Sequence, residues 1–131
     1  SLISMSEIFS IKLVTPSKVF LEANASLVTV PATEGDIGFL ANHVNFISSI
    51  RPGFISVNLE SGDEKVIYIS EGFAQFNDNS LLIIAVELIE KEDLNSDFVN
   101  QKIIDLQNMQ DSNISNIKLQ SKIDSLKSLS L

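Results

Sequence analysis

Apolar and polar residues alternate along most of the first two thirds of the chain. In IFSIKLVTP, the apolar residues Phe9, Ile11 and Leu13 alternate with polar ones, which is the two-residue period of a half-buried β-strand. Further short runs with this pattern are SLVTVP, FISSI, GFISVNLE, KVIYIS and FAQFN, separated by the turn sequences RPG, SGD and NDNS. Many short strands at close intervals predict a flattened β-sandwich or barrel.

The apolar spacing changes after Glu87 from two residues to three and four. Residues 88–131 contain no glycine or proline, and Asn95 or Ser96 is a candidate N-cap for a first helix. Two helical stripes follow: Val99, Ile103 and Leu106 in the first helix, and Leu119, Ile123 and Leu126 in the second, which Ser112 or Asn113 would cap.

These patterns divide the chain into a β-sandwich domain at 1–87 and an antiparallel two-helix hairpin at 88–131. Residues 1–6 are expected to be a flexible leader. Each helix carries one narrow apolar stripe, and helices of about 14 residues depend on tertiary packing. We therefore expect the stripes to pair mainly with each other, with little apolar surface left to fix the hairpin to the sandwich.

Composition narrows the functional classes. The net charge of −8 argues against nucleic-acid binding, because phosphate recognition needs clustered cations. The chain has no cysteine, which excludes disulfides, thiolate metal ligands and cysteine nucleophiles. No apolar run approaches the roughly 20 residues of a membrane span, and the longest, LLIIAV at 81–86, has the length of a buried strand. Membrane association is therefore expected only through a partner.

The stretch TEGDIGFLANH at 33–43 holds two carboxylates, two glycines and the only histidine. Catalysis at His43 would need an orienting carboxylate and a nucleophile or substrate pocket, and no nucleophile motif is present. The acids lack metal-ligand spacing, and the glycines lie between strands rather than before a helix. We expect no catalytic, cofactor-binding or metal-binding residue here. The hypothesis of a hydrolase centred on His43 stays open as a minor alternative.

The run VTVPATEGDIGFLANHVNFISSIRPGFISV at 28–57 resembles the signature of the ε subunit of bacterial F-type ATP synthases, called δ in mitochondria. The later YISEGFAQFNDNSLLIIA resembles a second segment of that family. The resemblance covers about residues 8–88, and the helical hairpin agrees in architecture only. The matching positions in the first run are Val28, Val30, Pro31, Glu34, Gly35, Asp36, Gly38, Leu40, His43, Ile47 and Gly53.

The resemblance implies a ten-stranded flattened β-sandwich followed by the two-helix hairpin. It implies a non-catalytic rotor subunit of the central stalk, which links the γ subunit to the c-ring and so couples proton transport to ATP synthesis. In some members the hairpin inhibits ATP hydrolysis by contacting the α/β catalytic head. The expected location is peripheral, at the cytoplasmic face of the bacterial inner membrane.

The resemblance also implies that the stretch at 33–43 is a docking surface for the c-ring and γ, with the Gly35–Asp36 turn toward the ring and His43 toward γ. The docking residues are Glu34, Gly35, Asp36, Gly38 and His43. The basic residues near the C-terminus fit either a solvated helix face or a contact with the β subunits. These residues are Lys118, Lys122 and Lys127.

Two of the departures from the family pattern concern the His43 loop and the start of the hairpin. Ala41-Asn42 stands where the family has Pro-Gly before the histidine, and Val44-Asn45 stands where it has Ala-Pro after it. We expect these changes to give the loop more freedom. At the start of the hairpin Asp93 matches the family's ATP-binding motif, but Glu92 stands at its apolar position and Ser96 at its arginine. We expect no ATP binding, because the bidentate phosphate contacts of arginine are missing.

One alternative from another functional class remains. The chain could be a free-standing β-sandwich module that binds a peptide or another ligand, with the helices serving dimerisation. The absence of tryptophan and the single tyrosine, Tyr68, argue against a sugar-binding version of this module, because sugars stack on aromatic rings.

Overall fold

The computed structural model of the chain describes residues 7–111 and 123–128, and it has the predicted fold class, a β-sandwich followed by helices. The strands are β1 (Phe9–Thr15), β2 (Lys18–Ala32), β3 (Gly35–Phe39), β4 (Phe46–Ile50), β5 (Gly53–Leu59), β6 (Glu64–Ile69), β7 (Gly72–Asn77), β8 (Ser80–Ala85) and β9 (Leu88–Glu90). A 3₁₀ helix (Lys91–Asp93) leads into α1 (Ser96–Asp111), and residues 123–127 form a second helical segment.

The strands form one sheet that closes on itself as two layers. The order is β1-β8-β7-β4-β2-β5-β6-β9, with β3 beside β2, and β1 also pairs with β2. β1 and β8 run parallel and the other pairs run antiparallel. We call β1, β8, β7 and β4 the front layer, and β3, β2, β5, β6 and β9 the back layer.

The long strand β2 accounts for the strand count. Its first half pairs with β1 and its second half pairs with β5 and β3, and the register shifts between Ala25 and Leu27. The described residues therefore form nine strands. Counting the two halves of β2 separately gives the ten strands that the family resemblance implies.

The core lies between the two layers and follows the alternation seen in the sequence. Phe9, Ile11 and Leu13 are at most 2% exposed, as the two-residue period predicts. The other residues of this core come from all the remaining strands, and β3 contributes its last residue, Phe39. The ring of Phe9 packs edge-on against that of Phe76, with centroids 5.5 Å apart.

The hairpin packs on the outer face of the back layer, which we call the back face. Val99, Ile103, Ile123 and Leu126 form a second buried cluster around Tyr68, with Phe54 and Ile89 against it. The expectation that the helical stripes would leave little to fix the hairpin was wrong. Outward-facing aromatic and aliphatic residues of β5, β6 and β9 supply the apolar surface that the stripes cover. The predicted stripe residue Leu119 lies outside the described residues.

Two ion pairs lie near the connection between the sandwich and the hairpin. The sheet runs to Glu90, because β9 pairs with β6, so it extends three residues past the boundary predicted at 87. The Lys65 ammonium lies 2.9 Å from Glu90 Oε1, and this hydrogen bond raises the pKa of Lys65. Lys102 of α1 forms a 2.6 Å ion pair with Glu87.

Asn95, one of the two residues predicted as the cap, is the N-cap of α1. Its side-chain oxygen accepts a 2.8 Å hydrogen bond from the backbone N–H of Phe98. The predicted caps Ser112 and Asn113 of the second helix, and the predicted leader at 1–6, lie outside the described residues.

Tyr68 is the only tyrosine of the chain, so its titration reports on docking of the hairpin. Burial under the helices, reinforced by the nearby Glu87 carboxylate, raises the pKa of Tyr68 from 10.0 to about 12. We expect Val99→Asp to detach the hairpin and return this pKa toward 10, measured by tyrosinate absorbance. Because the phenol binds its proton more tightly in the folded protein, hairpin docking is strongest below pH 10 and weakens as the pH rises through 12. An unchanged pKa in the variant would contradict the docked hairpin.

Candidate functional site

The acidic turn (Glu34–Asp36) joins β2 to β3 at one end of the sandwich. Gly35 has a φ of +131°, which glycine adopts without strain, and both flanking acids are exposed. Asp36 forms a 2.5 Å ion pair with Arg51, whose Nε also donates a 3.1 Å hydrogen bond to the carbonyl of Ala32. This half-exposed pair contributes at most about 1 kcal/mol, but it holds the turn against the β4–β5 connection. Spacing along the sequence gave no sign of Arg51 as a partner.

His43 lies at the opposite end of β3 from the acidic turn. Five residues of extended strand separate the two ends by roughly 16 Å. The structure therefore does not gather Glu34, Asp36 and His43 into one site. Of the predicted docking residues, Gly35 and Asp36 stand beside Glu34 at one end, and His43 stands at the other with the exposed Gly38 between them.

The His43 ring packs against three phenylalanine rings. Its centroid lies 4.9 Å from that of Phe39, 5.4 Å from Phe76 and 6.1 Å from Phe46. Nδ1 lies 2.7 Å from the carbonyl oxygen of Val44, an acceptor, so Nδ1 carries a proton and donates. These contacts anchor the ring in the fold and bring no carboxylate or nucleophile to it within the part of the chain that the structure describes. The hydrolase hypothesis gains no geometric support.

The loop around His43 is tied to distant segments by side-chain hydrogen bonds, which the expectation of a freer loop did not include. Asn42 has a φ of +67°, which asparagine tolerates, and its backbone N–H donates to Asn79 Oδ1 at 2.5 Å. Asn79 Nδ2 donates in return to Asn42 Oδ1 at 3.0 Å, and Asn42 Nδ2 donates to Glu7 Oε1 at 2.8 Å. The residue that replaces the family's usual one thus makes its own anchor across 37 positions of sequence.

The outer face of the front layer, which we call the front face, carries exposed apolar side chains. Its members are Ile47, Phe73, Ile84 and Val86, each 50% exposed or more. Phe73 stands directly opposite Ile84 in the β7–β8 pair, beside a shallow cavity of about 270 Å³. None of residues 7–111 and 123–128 covers this face. The uninterrupted apolar run LLIIAV was its signal in the sequence, because a strand with one solvated face would alternate.

The described residues include no cluster of acids and histidine able to hold a metal ion. None of the helices in the described ranges is long and apolar enough to cross a membrane. Glu92 and Asp93 lie exposed in the 3₁₀ helix, and Ser96 begins α1. Lys127 is exposed on the second helical segment, while Lys118 and Lys122 lie outside the described residues.

Comparisons with known proteins agree with the geometry. The family model described as "ATP synthase, Delta/Epsilon chain, beta-sandwich domain" matches residues 8–91. The ATP synthase epsilon chain of Pelagibacter ubique is 32% identical over 130 residues, covering 95% of this chain and 99% of that protein. The ATP synthase epsilon chain of Maricaulis maris is 38% identical over 93 residues, covering 71% of this chain and 69% of that protein.

Solved structures show a similar fold. A chain of the Euglena gracilis mitochondrial ATP synthase (OSCP/F1/c-ring) aligns with a TM-score of 0.73 at 23% identity, covering 95% of this chain and 79% of that one. A chain of the central stalk and c-ring of the Tetrahymena thermophila mitochondrial ATP synthase aligns with a TM-score of 0.63 at 16% identity, covering 93% and 96%.

Substitution by alanine should change stability strongly at one glycine and little at another. A Cβ at Gly72 would overlap the carbonyl oxygen of Ile84, a backbone atom that cannot move aside. We expect Gly72→Ala to lower the free energy of unfolding by roughly 1–3 kcal/mol in a denaturant titration. A Cβ at Gly38 would lie 3.5 Å from Leu27 Cδ1, an ordinary contact, so Gly38→Ala should change stability little. Equal stabilities of the two variants would refute the close approach of β7 and β8.

Proposed function

The chain belongs to the ATP synthase delta/epsilon family, as a non-catalytic subunit of the rotor stalk, and we propose that its sandwich joins the γ subunit to the c-ring through two separate surfaces. A relative that covers nearly the whole chain is named ATP synthase epsilon chain, and the similar solved chains come from F1/c-ring and central-stalk assemblies. We further propose that it is a peripheral subunit, at the cytoplasmic face of a bacterial inner membrane.

The front face is the proposed contact with γ. The two outer faces of the sandwich are both apolar, and the hairpin already covers the back face. Phe73 and Ile84 are 57% and 50% exposed at the centre of the front face, where a partner would remove them from water. Burial of such side chains contributes roughly 1.5–3 kcal/mol each, so a handful suffices for a stable subunit contact. This uncovered apolar face is the observation that carries the proposal.

The acidic turn is the proposed contact with the c-ring. Glu34 and Asp36 are exposed at its tip, and the Arg51 pair orients the Asp36 carboxylate. Polar loops of the ring that carry basic side chains would pair with these acids, and the glycine between them lets a partner backbone approach. The length of β3 keeps this contact apart from the His43 loop, which faces the γ side in this proposal.

Inhibition of ATP hydrolysis by the hairpin is a further part of the proposal. Lys127 is exposed on the docked second helical segment, and Lys118 and Lys122 complete the proposed contact with the β subunits of the catalytic head. The helical stripes are occupied against Tyr68 and its neighbours, so a hairpin reaching that head first gives up this packing. We keep the prediction that the hairpin binds no ATP. A free-standing ligand-binding module is not favoured by the relatives.

Phe73→Asp should abolish binding to γ without unfolding the chain. A charge at an exposed position leaves the core intact, whereas an unpaired carboxylate buried against γ weakens binding by about 100-fold or more. Ile104→Asp is the matched control. Ile104 is a large apolar side chain that is 49% exposed, against 57% for Phe73, and it lies on α1, away from the front face. Affinity for the γ subunit of the same organism can be measured by calorimetry. Loss of binding in Ile104→Asp but not Phe73→Asp would place the contact elsewhere.

Glu34→Lys should weaken the association of the chain with lipid vesicles that contain the c-ring, and it should leave binding to γ unchanged. Charge reversal at the tip of the turn replaces attraction to basic loops by repulsion, and the effect should shrink as salt rises. Glu22→Lys, which reverses an exposed charge on β2 away from the turn, serves as the control. If both reversals act equally on sedimentation with the vesicles, only net charge matters and the acidic turn is not the contact.

A further inference from the structure

We infer that Asn79 is a positioning residue of the γ-binding surface, although it lies outside the run at 28–57 and outside the predicted docking set. Asn79 acts by fixing the loop that carries His43, rather than by touching the partner. This inference rests on the proposed contact with γ and adds the device that shapes one end of it. We call Asn42, Asn79 and Glu7, with the bonds between them, the amide clamp.

The clamp is reciprocal, so it fixes both position and orientation. Asn79 accepts from the backbone N–H of Asn42 and donates to its side-chain oxygen, while the Asn42 amide donates onward to Glu7. One side chain thus restrains both the backbone and the side chain of Asn42. The backbone N–H of His43 donates to the Leu40 carbonyl at 3.2 Å, which closes the turn that the clamp holds.

Asn79 has a rigid base from which to hold this loop. Asp78 and Asn79 have φ values of +51° and +58°, the signature of the two-residue type I′ turn between β7 and β8. The Asn79 carbonyl accepts a 3.1 Å hydrogen bond from the Ser10 backbone, and Ser10 Oγ lies 2.8 Å from Ser80 Oγ. The turn is therefore tied to β1 as well as to its own strands.

The clamped loop presents apolar side chains beside the front face. Leu40 is 58% exposed and Val44 is 73% exposed, and Ile8 follows the clamp residue Glu7 at 37%. Ile47, two residues into β4, belongs to the front face itself, so the loop continues the proposed γ surface. A loop already held in its bound shape loses less conformational freedom on binding, which is the gain expected from the clamp.

Glycine substitutions separate the clamp from the turn. Asn79→Gly removes both side-chain bonds and keeps the positive φ that the type I′ turn needs. Asn42→Gly removes the two bonds made by the Asn42 side chain, keeps the bond from its backbone N–H to Asn79, and also keeps its positive φ. Asp78→Asn is the control, because it preserves the turn and lies outside the clamp. Asn79→Asp keeps the acceptor for the Asn42 backbone N–H, so this variant should retain part of the affinity for γ that Asn79→Gly loses.

The experiment measures amide hydrogen exchange of Asn42 and His43 in the free full-length chain, and affinity for γ. For Asn79→Gly we expect loss of protection at both amides and about tenfold weaker binding, with an unchanged unfolding midpoint. The loss of affinity in the double variant Asn42→Gly/Asn79→Gly should fall short of the sum of the two single losses, because both single variants remove the bond between the two side chains. Additive losses would instead mean that Asn79 touches γ directly, which overturns the positioning role.

The failures are distinguishable. If Asn79→Gly binds γ like the parent chain while Phe73→Asp does not, the clamp is overturned and the proposed front-face contact stands. If the parent chain does not bind γ at all, the proposed function fails and the inference fails with it. Unchanged exchange at Asn42 in the glycine variant would overturn the clamp whatever the binding result.

Discussion

Both outer faces of the sandwich carry apolar side chains, and an apolar sheet face exposed to water marks an interaction site. The back face is covered from within, because Val99 and Ile103 of α1 pack over Tyr68 with the second helical segment. The front face has no cover among the described residues, although Phe73 and Ile84 are as apolar as the side chains under the hairpin. The proposed contact with γ would cover this face.

The hairpin is held less firmly than the sandwich. Its buried cluster is separate from the main core, and a cavity of about 310 Å³ lies beneath it. The Ser70 hydroxyl borders that cavity and has no hydrogen-bond partner among the described residues. The Glu87–Lys102 pair at its edge is about one-third exposed and adds little. Local opening of the hairpin should therefore precede unfolding of the sandwich.

Local patterns in the sequence were sufficient for most of the strands, for the turns between them and for the stripe residues that the structure describes. The period of Phe9, Ile11 and Leu13 marked β1, and Asn95 was a correct cap candidate. What escaped prediction depends on distant pairing. β9 has only three residues and exists through β6, and the Arg51–Asp36 and Asn42–Asn79 contacts join segments 15 and 37 residues apart. The separation of Glu34 from His43 likewise follows from β3 being a strand rather than a loop.

The central claim is that γ covers the front face while the hairpin covers the back face. The chain has no cysteine, so single cysteines placed by Ile84→Cys and Ile104→Cys can be labelled selectively with a thiol reagent. Both positions are about half exposed in the free chain, at 50% and 49%, and should react at similar rates. With γ bound, we predict slow labelling of the Ile84→Cys variant and unchanged labelling of the Ile104→Cys variant. Continued fast labelling at position 84 in the complex would contradict the account.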